Sequence, residues 1–352
     1  MIPQLTDEAI TLLKAMISKP SFSSEEAETA LLIMDWFSHH SIKFERNDHN
    51  IWAINKYFDA SKPTLLLNSH HDTVKPNQAY SRDPFKPEVI DGKLYGLGSN
   101  DAGGSLVSLL ATFTYFYDRK DLNYNLIIVA SAEEESSGAK GLNSVLPLLP
   151  KVDVAIVGEP TLMQLAIAEK GLLVLDCCAY GKAGHAAHGL GDNAIYKAVE
   201  AIEWFRTFEF PKESQTLGKV KMTVTQVNAG SQHNVIPAEC RFVVDVRVTD
   251  AYTNQQVLEI VKEHVSVEVK PRSLRLNSSS IPMQHPLVQA GIALGRNTYG
   301  SPTLSDQAVL SCPSLKMGPG DSLRSHTADE FIHVAEIEEG IRLYIELLSS
   351  VL

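Results

Sequence analysis

Short runs of apolar residues in the first half of the chain predict β-strands that are buried on both faces. The runs occupy residues 64–67, 126–130 and 154–157. A helix is expected between the first two runs, over about residues 104–117, and Ser23 and Glu26 have the spacing of a capping box ahead of an earlier helix. This alternation predicts an α/β domain whose helices pack on a mostly parallel sheet.

The pattern changes after about Glu169, where the strands alternate and become longer. The expected order is strand, helix, strand, strand, helix and strand, at residues 172–180, 193–205, 220–227, 241–248, 254–264 and 265–269. This is the order of a small split-βαβ unit. Residues 276–281 are typical of a linker, and the segments after it are a helix, a strand and a closing helix at residues 286–294, 314–317 and 335–348. We therefore predict an α/β domain at residues 1–170 and 278–352, interrupted by an inserted α+β domain at residues 171–277.

The acidic balance of the chain argues against a protein that binds nucleic acid or an anionic membrane surface. The 352 residues carry 31 Lys and Arg against 42 Asp and Glu, for a formal net charge of −11. No apolar run reaches the roughly 18 residues of a membrane span, and no signal peptide is recognisable at the N-terminus. The four cysteines lack C-x-x-C spacing and are expected to be free thiols: Cys177, Cys178, Cys240 and Cys312. We expect a cytoplasmic protein.

Acidic residues and histidines gather where the predicted strands end, which is the edge at which open α/β sheets bind ligands. His70 and Asp72 follow the first strand and point to the same side of an extended chain, so the carboxylate can orient the imidazole. A His-x-Asp sequence alone is weak support, because a surface turn can also carry it. Glu133, Glu134 and Glu135 follow the second strand, and three adjacent carboxylates repel one another, as they could in a solvated loop or at a helix N-terminus. Their place between a buried strand and a Ser-Ser-Gly turn favours metal ligation or acid–base work.

Five of these side chains form a mixed set of imidazoles and carboxylates: His70, Asp101, Glu135, Glu159 and His326. Such a set without thiolates suits Zn²⁺, Co²⁺ or Mn²⁺ better than Mg²⁺ or Ca²⁺. Five ligands exceed one tetrahedral site that keeps an open position, and they suit two cations that share a carboxylate. The remaining carboxylates, including Glu134, would be free for proton transfer.

Seven stretches of the sequence together resemble the di-zinc M20 aminoacylase/carboxypeptidase family, which includes acetylornithine deacetylase and succinyl-diaminopimelate desuccinylase. The stretches, in chain order, are LLLNSHHDTV, LYGLGSNDAGG, ASAEEESSG, VGEPT, GKAGHAAH, NVIPAECRFVVDVR and MGPGDSLRSHTADE. The resemblance implies a zinc-dependent exopeptidase-like catalytic domain with an inserted ferredoxin-like lid and dimerisation domain. It also implies two Zn²⁺ per chain, with Co²⁺ or Mn²⁺ as substitutes, and a homodimer formed through the lid.

The resemblance also implies individual roles. It makes His70 and Glu159 ligands of the first metal, and Glu135 and His326 ligands of the second. Asp101 would bridge the two metals. Asp72 would orient His70, and Glu134 would be the general base. In the lid, it makes His185 a residue that reaches the partner subunit's active site, and Asn234 and Arg247 residues that hold the substrate's carboxylate end.

The sequence departs from the family pattern at three places. Ser69 stands where Gly is usual, and Glu133 replaces an Asp, which leaves open a shift by one in the roles of the triple glutamate. The Pro that usually follows the lid histidine is missing, and His188-Gly189 occupies that region. None of these departures removes a proposed metal ligand.

The predicted function is hydrolysis of the linear amide of an N-acyl amino acid, first of all N-acetylornithine or an acylated ornithine or citrulline in arginine biosynthesis. Succinyl-diaminopimelate, an acylated lysine and a dipeptide are the runner-up substrates.

Two other classes of protein are disfavoured. Gly96-Leu97-Gly98 lacks the third glycine of a dinucleotide-binding site, and the G-x-S-x-G elbow of a serine hydrolase is absent. A catalytically degenerate binding protein of the same fold remains the alternative of another class. Other histidines, His39 and His40 among them, are expected to be ordinary surface or core residues.

Overall fold

Helices and strands alternate through residues 2–352, which are the residues that the computed structural model describes. The helices are α1 (Ile2–Ile17), α2 (Ala27–His39), α3 (Gly104–Phe116), α4 (Leu142–Val145), α5 (Ala194–Thr207), α6 (Asn254–His264), α7 (Pro286–Ala293) and α8 (Val334–Ser349). The strands are β1 (Phe44–Asn47), β2 (Asn50–Ile54), β3 (Thr64–His70), β4 (Glu88–Ile90), β5 (Lys93–Tyr95), β6 (Asn125–Ser131), β7 (Val154–Val157), β8 (Leu165–Glu169), β9 (Gly171–Tyr180), β10 (Gly184–His185), β11 (Lys221–Ala229), β12 (Val235–Ile236), β13 (Glu239–Val248), β14 (Glu268–Pro271), β15 (Ser279–Ser280), β16 (Thr298–Ser301), β17 (Ser314–Lys316) and β18 (Phe331–His333).

The chain divides into two units. The first unit comprises Met1–Ile167, Ser280–Tyr299 and Ser305–Leu352, and the second comprises Ala168–Ser279 and Gly300–Leu304. The first unit is therefore interrupted in sequence by the second.

The sheet of the first unit is mixed, although its centre is parallel as predicted. The order of its strands includes β1-β2-β6-β3-β7-β17-β8. The four central strands, β6, β3, β7 and β17, run parallel, whereas β2 joins β6 and β8 joins β17 in antiparallel fashion. The hairpin of β1 and β2 was not predicted. Strand β1 is short and mostly polar, and the apolar run at residues 51–54 of β2 was not assigned to a strand.

Apolar side chains of the central strands alternate between two cores. Leu65 and Leu67 of β3 lie in the larger core, together with buried residues of α1, α2, α3 and α8, whereas Leu66 lies in the smaller core with residues of α4. Alternation follows from the two-residue period of a strand. Helix α3 is buried on almost all of its surface, which explains why its sequence is apolar all round.

The predicted capping box at Ser23 and Glu26 is wrong. Glu26 itself precedes α2, and no side chain caps this helix. The hydroxyl of Ser23 instead donates to Asp72 Oδ2 at 2.7 Å, while Glu26 Oε1 accepts from the backbone N–H groups of Ser24 and Glu133. Asp72 therefore binds the Ser23 hydroxyl, and Glu26 accepts from Ser24 and Glu133 rather than from the Ser23 backbone.

The second unit has the predicted strand–helix–strand–strand–helix–strand order. Its antiparallel sheet has the order β11-β13-β9-β14, and buried residues of α5 and α6 pack with those of β9 and β13 in one core. Strand β14 begins later than residue 265, because the Val265 backbone N–H still bonds the Val261 carbonyl at the end of α6. A separate two-stranded ribbon pairs β10 with β12.

Two simpler expectations concern the cysteines and the membrane. All four cysteines are free thiols. Among the described residues, none of the helices combines the length and apolar character that crossing a membrane requires.

Candidate metal centre

Parallel strands β6, β3 and β7 end at one edge of the sheet, and each supplies candidate ligands there. His70 is the last residue of β3, Glu134 and Glu135 follow β6, and Glu159 follows β7. Strand direction therefore brings together side chains that are far apart in the sequence.

Asp101 reaches the same place from a short helical turn, Ser99–Gly103, directly before α3. Its φ and ψ angles of −116° and 99° are not helical, and its peptide bond to Ala102 is cis. A buried carboxylate outside the predicted set, that of Glu330, holds this turn. It accepts hydrogen bonds from the backbone N–H groups of Gly98 (3.0 Å), Asn100 (2.8 Å) and Asp101 (2.9 Å).

One group of candidate ligands consists of His70, Asp101 and Glu159. One donor atom from each lies within 4.8 Å of the others. His70 Nε2 is 3.3 Å from Asp101 Oδ1 and 3.8 Å from Glu159 Oε1. These three residues therefore converge as predicted for one half of the centre.

A second group consists of Asp101, Glu135 and His326, again with donor atoms within 4.8 Å of one another. His326 Nε2 is 2.9 Å from Glu135 Oε2 and 3.6 Å from Asp101 Oδ2. The two oxygens of Asp101 thus face different histidines, Oδ1 towards His70 and Oδ2 towards His326. This is the arrangement that a carboxylate bridging two cations requires.

Asp72 orients both His70 and the loop after β6. Its carboxylate accepts from the backbone N–H groups of Glu134 (3.0 Å) and Glu135 (3.1 Å). His70 Nδ1 lies 2.9 Å from the Asp72 carbonyl oxygen and 3.3 Å from Asp72 Oδ1. Both acceptors favour a proton on Nδ1, which leaves Nε2 to face the other ligands.

The geometry of the triple glutamate supports the assignment without a shift. Glu133 has a φ of +55°, and its carboxylate accepts from Ser24 Oγ at 2.7 Å and from the Lys140 backbone N–H at 3.0 Å. A Cβ on Gly138 would lie 2.0 Å from Glu133 Oε2, so this turn requires glycine there. Glu133 therefore supports the loop, while Glu134 and Glu135 remain for the centre.

The charges at this edge fit bound cations. Burial raises the pKa of Glu134 well above its ordinary range and that of Glu159 to about 8, although the His70 imidazole and, to a smaller extent, the Lys316 ammonium lower the latter pKa. Burial opposes the charged form of His70, but hydrogen bonds to Asp101 and Asp72 raise its pKa. Without a metal, Glu134 and Glu159 therefore favour their protonated forms, and divalent cations can take the place of those protons. Burial opposes the charged form of Asp101, but its hydrogen bond to His70 lowers its pKa. Imidazole and carboxylate donors without thiolates suit Zn²⁺, Co²⁺ or Mn²⁺.

A second buried carboxylate outside the predicted set is that of Asp306. Burial raises its pKa to about 6, and its Oδ2 accepts a short hydrogen bond of 2.5 Å from Ser131 Oγ at the end of β6. Nothing in the local sequence distinguishes Asp306 from a surface acid. Glu330 closes one of the stretches that resemble the family, and this was the only signal that could have pointed to it.

The three site residues predicted in the inserted domain lie in the second unit. His185 pairs with Val235 between β10 and β12, and the Ala186 backbone N–H donates to the Asn234 carbonyl, so His185 and Asn234 are neighbours. Both residues are exposed. Arg247, on β13, is held by Asp245 through Nε–Oδ1 and Nη2–Oδ2 contacts of 2.8 and 3.0 Å.

Sequence comparison identifies the family. Residues 66–350 match the family described as Peptidase family M20/M25/M40. The chain belongs to this family. The relatives of the chain include both deacetylases and peptidases, which hydrolyse amide bonds. The chain is accordingly an amidohydrolase of the M20 family.

Relatives of two kinds share nearly the full length of this M20 chain. An acetylornithine deacetylase of Shigella sonnei is 28% identical over 375 residues, which cover 96% of each protein. A protein named probable carboxypeptidase from Aspergillus flavus is 27% identical over 371 residues, which cover 96% of this chain and 88% of that protein. These identities support the family and do not distinguish the substrates.

A solved structure confirms the fold. A Bacillus subtilis protein described as a dinuclear metal binding peptidase from the M20 family superposes with a TM-score of 0.74 and 17% identity over 98% of each chain. The M20 fold, a catalytic domain with a lid domain, is therefore confirmed.

Asp101→Ala should remove metal from both halves of the M20 centre, because each oxygen of Asp101 faces a different group. Glu159→Ala should weaken metal binding only in the half that contains His70. Zinc per chain, measured by elemental analysis after gel filtration, should fall further in Asp101→Ala than in Glu159→Ala. Equal losses in the two variants would contradict a bridging role for Asp101.

The metal-free protein should lose stability as pH rises from about 6.5 to about 9. Below this range His71 acts in the opposite direction, because burial lowers its pKa to about 4. The pKa values of Glu159 and Glu330 are raised by burial to about 8, and the hydrogen bond to Glu135 raises that of His326 to about 9. Each group binds its proton more tightly in the folded state, so its stabilising contribution is full below its unfolded pKa and is lost as pH rises through the folded pKa.

Urea midpoints of the chelator-treated protein across this pH range measure the effect. Stabilisation by added zinc should grow with pH, because cations replace the lost protons. Glu330→Gln should flatten the curve of the metal-free protein. A midpoint that rises with pH in the absence of metal would contradict this account.

Proposed function

We propose that this chain uses two bound divalent cations to hydrolyse the amide bond of an N-acyl amino acid, releasing an amine and a carboxylate. The observation that carries the proposal is the pair of ligand groups that share Asp101, with the half-buried Glu134 beside them. We propose zinc as the native metal and the cytoplasm as the site of action.

The chain's own residues supply the positioning and the proton transfer. Bound cations would contribute Lewis acidity that polarises the amide carbonyl and makes water more acidic. Glu134 is half-buried and lies close enough to His70, Glu159 and Glu135 for their charges to shift its pKa. The positive charge of the bound cations would favour the ionised form of Glu134. In that form Glu134 can accept a proton from water and deliver that proton to the leaving amine. Asp72 keeps Glu134 in place through the hydrogen bond to its backbone N–H.

Our first substrate is N-acetylornithine or another acylated ornithine or citrulline, which would place the enzyme in arginine biosynthesis. The similarity to an acetylornithine deacetylase over 96% of both chains supports this choice. Succinyl-diaminopimelate and acylated lysine are the next substrates in this order. A peptidase activity is the second candidate function, and the comparable similarity to a probable carboxypeptidase supports it.

Steady-state kinetics of the zinc-loaded protein on a matched panel test the proposal. The panel contains N-acetylornithine, N-acetylcitrulline, N-succinyl-diaminopimelate, N-acetyllysine and a dipeptide with a free C-terminus. We expect the highest kcat/KM on an acylated ornithine or citrulline. A preference for the dipeptide would show that the chain is a peptidase and not a deacylase. No turnover of any amide would contradict the proposal.

Glu134→Gln should separate catalysis from metal binding. This change keeps the size of the side chain and removes its basicity, so kcat should fall by at least about 100-fold. Metal content should stay near that of the unmodified protein. Glu135→Gln is the matched variant, since it should lose metal from the half that contains His326. The reverse pair of phenotypes would show that the two roles are exchanged.

We also propose that His185 completes the active site of a partner subunit in a homodimer. The motif around His185 supports this role, as does its exposed position beside Asn234 on the β10–β12 ribbon of the second unit. Asn234 and Arg247 would hold the carboxylate end of the substrate. His185 would stabilise negative charge on the amide oxygen in the transition state.

His185→Ala should lower kcat by about 100- to 1000-fold, as loss of one such donor does. Mixing this variant with Glu134→Gln under subunit exchange tests action between subunits. A mixed dimer would combine intact His185 with intact Glu134 at one site, so activity should return. If mass spectrometry shows exchange and no activity returns, His185 does not act on a partner.

A further inference from the structure

A third group of metal-binding side chains lies in the first unit and shares no residue with the metal centre. Glu8 belongs to α1, His39 is the last residue of α2, and His40 follows it. One donor atom from each of the three lies within 4.8 Å of the others. From the sequence, His39 and His40 are expected to be ordinary surface or core residues. Only the packing of α1 beside α2 places Glu8 next to them.

Hydrogen bonding sets the tautomer of His40. Its Nδ1 lies 2.9 Å from the Trp36 carbonyl oxygen, and because a carbonyl can only accept, Nδ1 carries the hydrogen. The His40 ring also packs on the Trp36 ring, with centroids 4.4 Å apart. These two contacts hold the imidazole so that Nε2 faces Glu8. A carbonyl that binds one ring nitrogen while the other is presented outward is the usual setting of a metal-binding histidine.

His40 Nε2 and Glu8 Oε2 then face each other at 2.9 Å. In the neutral form of His40 both atoms carry lone pairs, so a cation must lie between or beside them, either a proton or a metal ion. His326 Nε2 and Glu135 Oε2 in the proposed metal centre stand at the same distance of 2.9 Å. The two places therefore present the same pair of donor atoms at the same separation.

The surroundings favour a cation that arrives from solvent. Glu8 Oε1 accepts from Gln4 Nε2 at 2.9 Å, which orients the carboxylate. His39 is exposed and can turn its ring towards the other two side chains. Asp7 and Asp35 line the same groove between α1 and α2, and their charges attract cations to it.

We propose that Glu8, His39 and His40 form a separate binding site at the protein surface for a divalent transition-metal cation, with Zn²⁺ as the first candidate. Two imidazoles and one carboxylate are the donors that Zn²⁺ accepts with a fourth position left for water, and Mg²⁺ and Ca²⁺ prefer all-oxygen sites. A bound ion would tie α1 to α2. The proposal stands independently of the proposed amidohydrolase activity.

Zinc titration of the full chain with its metal centre already loaded tests the proposal. Equilibrium dialysis should show one additional zinc per chain. His39→Gln and Glu8→Gln should each weaken this extra binding by at least about tenfold, since even loss of a residue that only supports a ligand costs that much. Neither side chain is buried, so both variants should keep the fold, which circular dichroism verifies.

His264→Gln is the matched control. His264 also lies at the end of a helix, and its Nδ1 bonds the carbonyl four residues earlier, that of Ile260, at 2.8 Å. It belongs to none of the groups of candidate ligands among the described residues. Extra zinc binding should therefore be unchanged in His264→Gln.

Trp36 provides a second measurement that reports position. Cu²⁺ bound by His40 would lie close to the Trp36 ring and quench its fluorescence, and Trp36→Phe should abolish most of the quenching. Absence of an additional zinc, or an additional zinc that both Glu8→Gln and His39→Gln leave unchanged, would overturn the proposal. The His40–Glu8 contact would then be an ion pair only.

Discussion

The candidate metal centre lies at the edge of the sheet where β6, β3 and β7 end, which we call the active edge. Its structure depends on one carboxylate that faces two histidines. Asp101 Oδ1 lies 3.3 Å from His70 Nε2, and Asp101 Oδ2 lies 3.6 Å from His326 Nε2. His70 comes from a strand near the start of the chain and His326 from a loop near its end, so the shared carboxylate joins segments that are distant in sequence. Everything that fixes Asp101 therefore fixes both halves of the centre.

Carboxylates have two distinct tasks around this centre. Glu330, Asp72 and Glu133 accept hydrogen bonds from backbone N–H groups and hold the loops that carry the candidate ligands. Asp101, Glu135 and Glu159 instead face histidine nitrogens. The first set has hydrogen-bond donors from the backbone, whereas the second set faces imidazole nitrogens at the place where cations would bind. Burial nevertheless raises the pKa of Glu330 to about 8, so its backbone donors alone do not keep it ionised. The acidic character of the site therefore serves both the folding of the loops and the binding of metal.

Strand positions and candidate ligands could be predicted because both leave local patterns. Continuous apolar runs identified β3, β6 and β7, and the positions of His70, Glu135 and Glu159 at their ends identified the active edge. Glu330 and Asp306 could not be found in this way, since their partners lie far along the chain and their burial depends on tertiary packing. The capping box failed for the same reason. Ser23 has a local partner in the sequence pattern, but Asp72 takes its hydroxyl in the folded protein.

The central claim is that Asp101 bridges two cations, and anomalous X-ray scattering at the zinc absorption edge measures this most directly. Crystals grown with Zn²⁺ should show two peaks about 3.5–4 Å apart, the separation typical of two-metal hydrolytic sites. One peak should lie beside His70 and Glu159, the other beside Glu135 and His326, and one oxygen of Asp101 should contact each. A single peak at this edge, or two peaks of which Asp101 contacts only one, would contradict the account.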